Sequence, residues 1–129
     1  MDADEKRKSL DALTHTIIGA AHRVSLELGF GFLEKVYENA LRIELASIGH
    51  EVETQVPFDI RFKGQLVGHY AADMVVAGKI LVEVKALDAL ATAHTAQCLN
   101  YLKASGISVC LLLNFGRAKL ETKRVVHGF

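Results

Sequence analysis

The hydrophobic period of the chain changes at Gly49, and this change limits the possible folds strongly. Before Gly49, apolar residues recur at helical spacing in two stripes, over residues 10–28 and 33–48, and each stripe ends at a glycine. After Gly49, β-branched and apolar residues alternate or form short runs, which is typical of strands. Two amphipathic helices are therefore expected to precede a β-sheet.

Three strands are expected in succession over residues 51–62, 65–76 and 80–87, because short glycine-containing turns separate them. Helix-forming residues over 89–105 follow, and then two further strands, over 107–115 and 118–126. A helix between two strands favours a parallel pair within a mixed sheet. The predicted fold is α/β, with a mixed central β-sheet flanked by helices in the order α-α-β-β-β-α-β-β.

Length and composition narrow the class of protein. The chain has 129 residues, half of them hydrophobic, which fits a single domain over 1–129 with residues 1–9 as a flexible N-terminal tail. No apolar run resembles a signal peptide or a membrane span, so we expect a cytoplasmic protein without membrane contact. Cys98 and Cys110 lack metal-ligand spacing and are expected in the core.

Charge is balanced overall but divided unevenly along the chain. Residues 1–60 carry six Lys and Arg against eleven Asp and Glu, whereas residues 61–129 carry nine against four. The second part could therefore face an anionic partner, while the neutral total argues against indiscriminate coating of nucleic acid.

Two charged residues, Glu83 and Lys85, interrupt the apolar strand over 80–87. Both side chains project from one strand face, and a salt bridge between them is one explanation. An odd-length loop at 77–79 would place Asp73 directly opposite Glu83, where like charges repel unless a cation lies between them. Oxygen ligands of this kind favour Mg²⁺ or Mn²⁺. The alternatives are an even-length loop, or an Asp73 that caps a bend.

Asp73, nine intervening residues and Glu83-Val84-Lys85 resemble the core signature of the PD-(D/E)XK nuclease superfamily, with Ala72 in place of its nominal proline. The stretch GFLEKVY over 31–37 is similar to the motif of the GxxExxY proteins, a branch of that superfamily. Further blocks of similarity are GHYAAD over 68–73, QCLNYL over 97–102 and LNFG over 113–116. The resemblance implies a restriction-endonuclease-like fold.

The same resemblance implies roles for individual residues. Asp73 and Glu83 would bind the metal together with the backbone carbonyl of Val84, and Lys85 would contact the attacking water and the scissile phosphate. Glu34, at the start of the second helix, would reach the same site, although the helix dipole also favours an acid there.

The implied function is a divalent-metal-dependent nuclease, using Mg²⁺ or Mn²⁺, that hydrolyses phosphodiester bonds of DNA or, alternatively, RNA. A second hypothesis is a non-catalytic nucleic-acid or protein interaction module that retains the nuclease fold, and a third is a scaffold in which these polar residues are structural. A small core of this kind also fits a homodimer or a complex with a partner protein.

Polar side chains on the crossover helix extend the candidate site. Gln97 and Tyr101 share a helix face and resemble the Gln-x-x-x-Tyr motif of a related nuclease branch, with a hydrogen-bonded contact to the sheet as the alternative. His94, on the same face, is expected to be structural. Charges near the C-terminus are candidate phosphate contacts, or else a solvated strand face without interleaved aromatic residues. They are Lys119, Lys123 and Arg124.

Overall fold

The computed structural model describes residues 2–128, and within that range three helices and five strands follow the predicted order. The helices are α1 Ala3–Leu28, α2 Glu34–Ser47 and α3 Thr92–Ser105. The strands are β1 Val52–Phe62, β2 Gln65–Val76, β3 Ile80–Lys85, β4 Val109–Asn114 and β5 Glu121–Val126. They form one sheet in the order β1-β2-β3-β4-β5, with β3 and β4 parallel and the other neighbours antiparallel. The predicted α/β class and mixed sheet are confirmed.

Each face of the sheet has its own apolar core. Helices α1 and α2 cover one face, where Ile17 and Leu41 pack with Val82. Helix α3 covers the other face, where Cys98 packs with Cys110, and both cysteines are free thiols inside the core. Burying one such apolar side chain stabilises the fold by about 1.5–3 kcal/mol. Because side chains alternate along a strand, the apolar residues on each face of the sheet determine which helix covers that face. Among the described residues, no helix is both long enough and apolar enough to span a bilayer.

Helix α1 begins earlier than the sequence indicated. Residues 1–9 were expected to form a flexible tail, whereas the helix starts at Ala3. The side chain of Asp2 caps the helix by accepting a 2.8 Å hydrogen bond from the backbone N–H of Glu5. Asp4 and Glu5 lie in the first turn, where the helix dipole favours acidic side chains. Capping thus extends the helix over a segment whose polar composition resembles that of a tail.

The alternation of side chains along β2 is interrupted at Asp73. Met74 lies in the core beneath α1 and α2, whereas Ala72, two residues earlier, lies in the core beneath α3. Across the ladder, β1 has Gln55 at a positive φ of 50°, and neither Gln55 nor Asp73 is paired there. The pairing of β2 with β3 involves only Met74–Val76 of β2. The residues of β2 that precede the interruption therefore pair with β1 alone. The outer part of the β1–β2 hairpin therefore leaves the sheet as a two-stranded ribbon.

Candidate active site

The β2–β3 turn brings two carboxyl groups together. Met74 pairs with Val82, which is the register predicted from the odd-length turn, so Asp73 and Glu83 are the next positions along the two strands. Oδ2 of Asp73 accepts a 2.8 Å hydrogen bond from the backbone N–H of Val84. The charge of Asp73 acts on Glu83, which shows that the two carboxyl groups lie close together. When both are ionised they repel each other.

Burial of Glu83 makes this pair electrostatically unusual. The residue is only 6% exposed, and within residues 2–128 its Oε1 has no hydrogen-bond partner. Burial and then the charge of Asp73 raise the pKa of Glu83 to about 9, while Lys85 opposes the shift. A buried carboxyl oxygen without a partner is costly. The site therefore favours a bound proton or a cation at this position.

Two further charged side chains lie at the same place. Lys85 ends β3, is partly exposed, and forms no ion pair within residues 2–128, so the salt bridge with Glu83 considered above is not formed. Glu34 is the first residue of α2. Partial burial and then the charge of Asp73 raise the pKa of Glu34, and Lys85 opposes this shift. The structure thus brings Glu34, Asp73, Glu83 and Lys85 within electrostatic reach of one another.

A family model described as the PD-(D/E)XK nuclease superfamily matches residues 11–125. The chain belongs to this superfamily. The match includes α2, the whole sheet and α3, apart from the last residue of β5, so it contains every element that carries the four charged side chains. Comparison with curated proteins and with solved structures gave no match. Among residues 2–128, no three His, Cys, Asp or Glu side chains form a ready-made metal cluster.

In this PD-(D/E)XK domain, Tyr37 holds the loop that precedes α2, the helix that begins at Glu34. Its hydroxyl donates a 2.8 Å hydrogen bond to the carbonyl of Gly29 and accepts a 3.2 Å bond from the N–H of Phe32. Its fully buried ring stacks on Phe115 at a centroid distance of 4.9 Å. Tyr37 therefore holds the start of the helix rather than facing the carboxylates.

The sequence analysis did not identify Glu38 or Gln55. Glu38 is 4% exposed and accepts a 2.9 Å hydrogen bond from Nε2 of Gln55 and a 3.3 Å bond from Nζ of Lys35. Its charge also raises the pKa of Glu34, one turn earlier on the helix. The bond from Gln55 connects α2 to β1 at the interruption of the β1–β2 ladder. The spacing of two glutamates at i and i+4 was the available signal.

The candidate residues of α3 divide into two groups. Nδ1 of His94 accepts a 2.8 Å hydrogen bond from the N–H of Ala91, so this histidine caps the helix, as a structural residue would. Gln97 is exposed, and its side chain forms no hydrogen bond within residues 2–128. Tyr101 is partly buried, and the charge of Glu83 adds to burial in raising its pKa. Tyr101 thus lies within reach of the carboxylates, whereas Gln97 faces solvent.

The C-terminal cations do not share one surface. Arg124 forms a 2.8 Å ion pair with Asp11 of α1. Lys123 lines a depression beside the start of α3, on the opposite face of the sheet, because successive side chains of β5 alternate. Lys119 is exposed in the connection between β4 and β5. The structure places none of the three beside Asp73 and Glu83.

The last block of similarity, at residues 113–116, fastens the loop that follows Lys85. The buried Asn114 accepts a 2.9 Å bond from the N–H of Leu87 and donates a 3.0 Å bond to its carbonyl. Its Nδ2 also donates to Oε1 of Glu121 at 3.1 Å. At Gly116, any Cβ would collide with the backbone of Leu87. These residues hold the end of β3, and with it Lys85, in place.

Proposed function

We propose that the protein is a divalent-metal-dependent nuclease that hydrolyses phosphodiester bonds of DNA, with RNA as the alternative substrate. The observation that carries this proposal is the buried Glu83, which follows the Met74–Val82 pair beside Asp73 and has one oxygen without a hydrogen-bond partner among residues 2–128. Membership of a nuclease superfamily supports the class of reaction. The metal, the substrate and the roles of individual residues are our inference.

The donors at the site suit a hard cation. Asp73, Glu83 and the backbone carbonyl of Val84 would hold Mg²⁺ or Mn²⁺, which prefer oxygen ligands and commonly take one or two carboxylates. The unpartnered Oε1 of Glu83 and the repulsion between the two acids both favour a positive charge between them. A bound ion of this kind would acidify water and balance the charge that develops on phosphate.

The remaining side chains have distinct tasks in this proposal. The ammonium of Lys85 has no ion pair among residues 2–128, so it is free to hold a phosphate oxygen or the attacking water. Glu34, which lies within electrostatic reach of Asp73 and Lys85, would orient water at the same site. Tyr101 has a raised pKa and stays protonated, so its hydroxyl can donate a hydrogen bond to the substrate. Gln97, one turn earlier, would contact the substrate from the same helix face.

Cleavage assays with matched variants test the reaction. Labelled DNA and RNA, single-stranded and duplex, are incubated with Mg²⁺, Mn²⁺ or a chelator. We expect metal-dependent cleavage that falls about 100-fold or more in Asp73→Ala and in Lys85→Ala. Lys79→Ala is the control, since Lys79 is exposed at the opposite end of β3. Activity that persists in both site variants would refute the proposal, and binding without cleavage would favour the non-catalytic module.

A thermal shift measures metal binding without turnover. We expect Mn²⁺ to raise the Tm of the wild-type protein. At a concentration about 100 times Kd, the bound ion adds about 2.7 kcal/mol to the free energy of unfolding. Asp73→Asn should lose this shift, whereas Asp59→Asn, on the exposed part of the ribbon, should keep it. Equal shifts in both variants would contradict the assigned ligands.

We also propose the narrower placement within the GxxExxY branch. It is supported by Tyr37, which holds the loop containing Gly31, and by Glu34 beside Asp73. Action as a homodimer or with a partner protein, and a cytoplasmic location, remain predictions from the sequence. Light scattering of the purified chain measures the first of these.

A further inference from the structure

A groove separates the projecting β1–β2 ribbon from helix α3. Its volume is about 750 Å³. The ribbon contributes Arg61 and Tyr70 to its walls, and α3 contributes Asn100, Tyr101 and Lys103. The groove exists because the ribbon continues past the end of β3 while α3 crosses over the same face of the sheet.

Three aromatic rings are stacked at this groove. Phe58 and Tyr70 are direct partners across the ribbon, with ring centroids 5.4 Å apart and planes inclined by 23°. Tyr101 stacks on Tyr70 at 3.9 Å and 13°. The Tyr70 hydroxyl also donates a 3.3 Å hydrogen bond to the backbone carbonyl of Tyr101. Tyr101 is thus a fixed, partly exposed ring at one end of the stack.

The charges around the rings suit a phosphodiester backbone. Lys103 is exposed and has no ion pair within residues 2–128. Arg61 is 3.5 Å from Asp59, which also lines the groove, and Nδ1 of His69 is 3.0 Å from the same acid. The Asn100 amide adds a donor and an acceptor. Cations with an amide beside an aromatic platform are the combination that binds a single nucleic-acid strand.

Two aromatic residues of the groove lie near the carboxylate pair. Tyr70 lies three residues before Asp73 on β2, and Tyr101 lies one turn after Cys98, which packs in the core beneath α3. The charge of Glu83 acts on both rings and adds to burial in raising the pKa of each hydroxyl. A strand lying in the groove would therefore pass near the two carboxylates.

We infer that this groove binds unpaired nucleotides of the substrate strand, with one base stacked on Tyr101 and adjacent phosphates held by Lys103 and Arg61. The inference rests on the proposed nuclease function, because it takes the groove as the path of the strand that is cut. A base within a duplex already has neighbours on both faces, so it cannot stack on a protein ring unless it leaves the helix. The expected substrate therefore has a single-stranded segment beside the cleaved bond, such as an overhang or a flap.

The absence of tryptophan from the sequence allows a direct test of stacking. Tyr101→Trp introduces a single indole, since the chain contains no other. Titration with single-stranded DNA in chelator measures binding without turnover. We expect the indole fluorescence to be quenched on binding, whereas Phe62→Trp, at the 64% exposed ribbon tip, should stay unchanged. An unquenched indole at position 101, in a variant that binds DNA, would overturn the inference.

Affinity measurements give a second readout. In chelator, we expect Tyr101→Ala to weaken single-strand binding about tenfold, and Tyr101→Phe to restore it because the ring is retained. Lys103→Ala should weaken binding, and the number of ions released on binding, measured from the salt dependence of the affinity, should fall by about one. Lys79→Ala, which is distant from the groove, should change neither quantity. Equal affinity for a duplex of the same length, or no effect of Tyr101→Ala in a folded variant, would refute the inference.

The two proposals fail in different ways. Metal-dependent cleavage without quenching at position 101 would refute the groove proposal and support the nuclease proposal. Quenching and single-strand preference without any cleavage would support the groove as a binding site and refute the catalytic role. Circular dichroism melting shows whether each variant is folded. If a change at Tyr101 disturbs the aromatic stack, Lys103→Ala, at an exposed helix position, tests the groove instead.

Discussion

The backbone N–H of Val84 donates a 2.8 Å hydrogen bond to Oδ2 of Asp73, just beyond the last residue pair of the β2–β3 ladder. A backbone donor at the end of a ladder needs another acceptor, and here a carboxylate supplies it. Asp73 therefore contributes a structural bond and a negative charge at once. Its two contributions can be separated by mutation.

Asp73→Asn and Asp73→Ala should have opposite effects on the metal-free protein. Asparagine keeps an oxygen that can accept from Val84 and removes the charge that repels ionised Glu83, so we expect a higher Tm than wild type at alkaline pH, above the folded pKa of Glu83 of about 9. Alanine leaves the Val84 N–H without an acceptor and should cost about 1–3 kcal/mol of unfolding free energy. Urea denaturation in chelator measures both. Equal stability of the two variants would contradict the assigned bond.

The stability of the metal-free protein should fall with rising pH because of Glu83. Its pKa in the folded protein, about 9, lies above its ordinary value of 4.5, so the folded state holds this proton more tightly than the unfolded state. The resulting stabilisation is complete below the ordinary value and is lost as pH rises through the folded value, at up to about 1.4 kcal/mol per pH unit. We expect Tm in chelator to decline between these values.

Glu83→Gln should flatten this dependence, because the amide cannot ionise. At alkaline pH the variant should melt at a higher temperature than wild type, whereas Glu53→Gln, on the exposed side of β1, should follow the wild-type curve. Parallel curves for all three proteins would show that another group is responsible.

The local pattern of the sequence was sufficient to predict the carboxylate pair. An odd-length turn at residues 77–79 fixes the register of β2 and β3, so Asp73 and Glu83 are the positions that follow the Met74–Val82 pair. The helix–strand order followed from hydrophobic periodicity for the same reason, since both depend on neighbours along the chain. The position of Glu34 was harder to predict from the sequence, because it depends on how α2 packs against the sheet.

Features that depend on distant packing were not predicted. Phe58 and Tyr70 occur at ordinary strand positions, and their stack with Tyr101 forms only because α3 crosses the ribbon. Pro57 predicts an edge strand or a bulge in β1, and β1 is indeed an edge strand with an interruption at Gln55. The bond from Gln55 to Glu38 of α2, by contrast, has no such signal. Single-sequence patterns carry little information about such contacts.

Tyr37→Phe should destabilise the protein and reduce nuclease activity together. The variant keeps the buried ring but loses the hydroxyl that bonds Gly29 and Phe32, and we expect a loss of about 1–3 kcal/mol in urea denaturation. Activity should fall because the start of α2 carries Glu34. Tyr70→Phe is the comparison for stability, since it removes one longer, 3.3 Å bond and should cost less. A smaller loss for Tyr37 than for Tyr70 would contradict this role.

Two glycines offer a matched test of backbone packing behind the site. In Gly116→Ala, the added methyl group would collide with the backbone of Leu87, which cannot move without disturbing the loop after Lys85. We expect a loss of about 1–3 kcal/mol and lower activity even at temperatures where the variant is folded. Gly68→Ala, in the ribbon, meets open space and should be neutral or stabilising by about 0.5–1 kcal/mol. If the two variants had equal stability and activity, the close approach of Gly116 to Leu87 would not hold Lys85 in position.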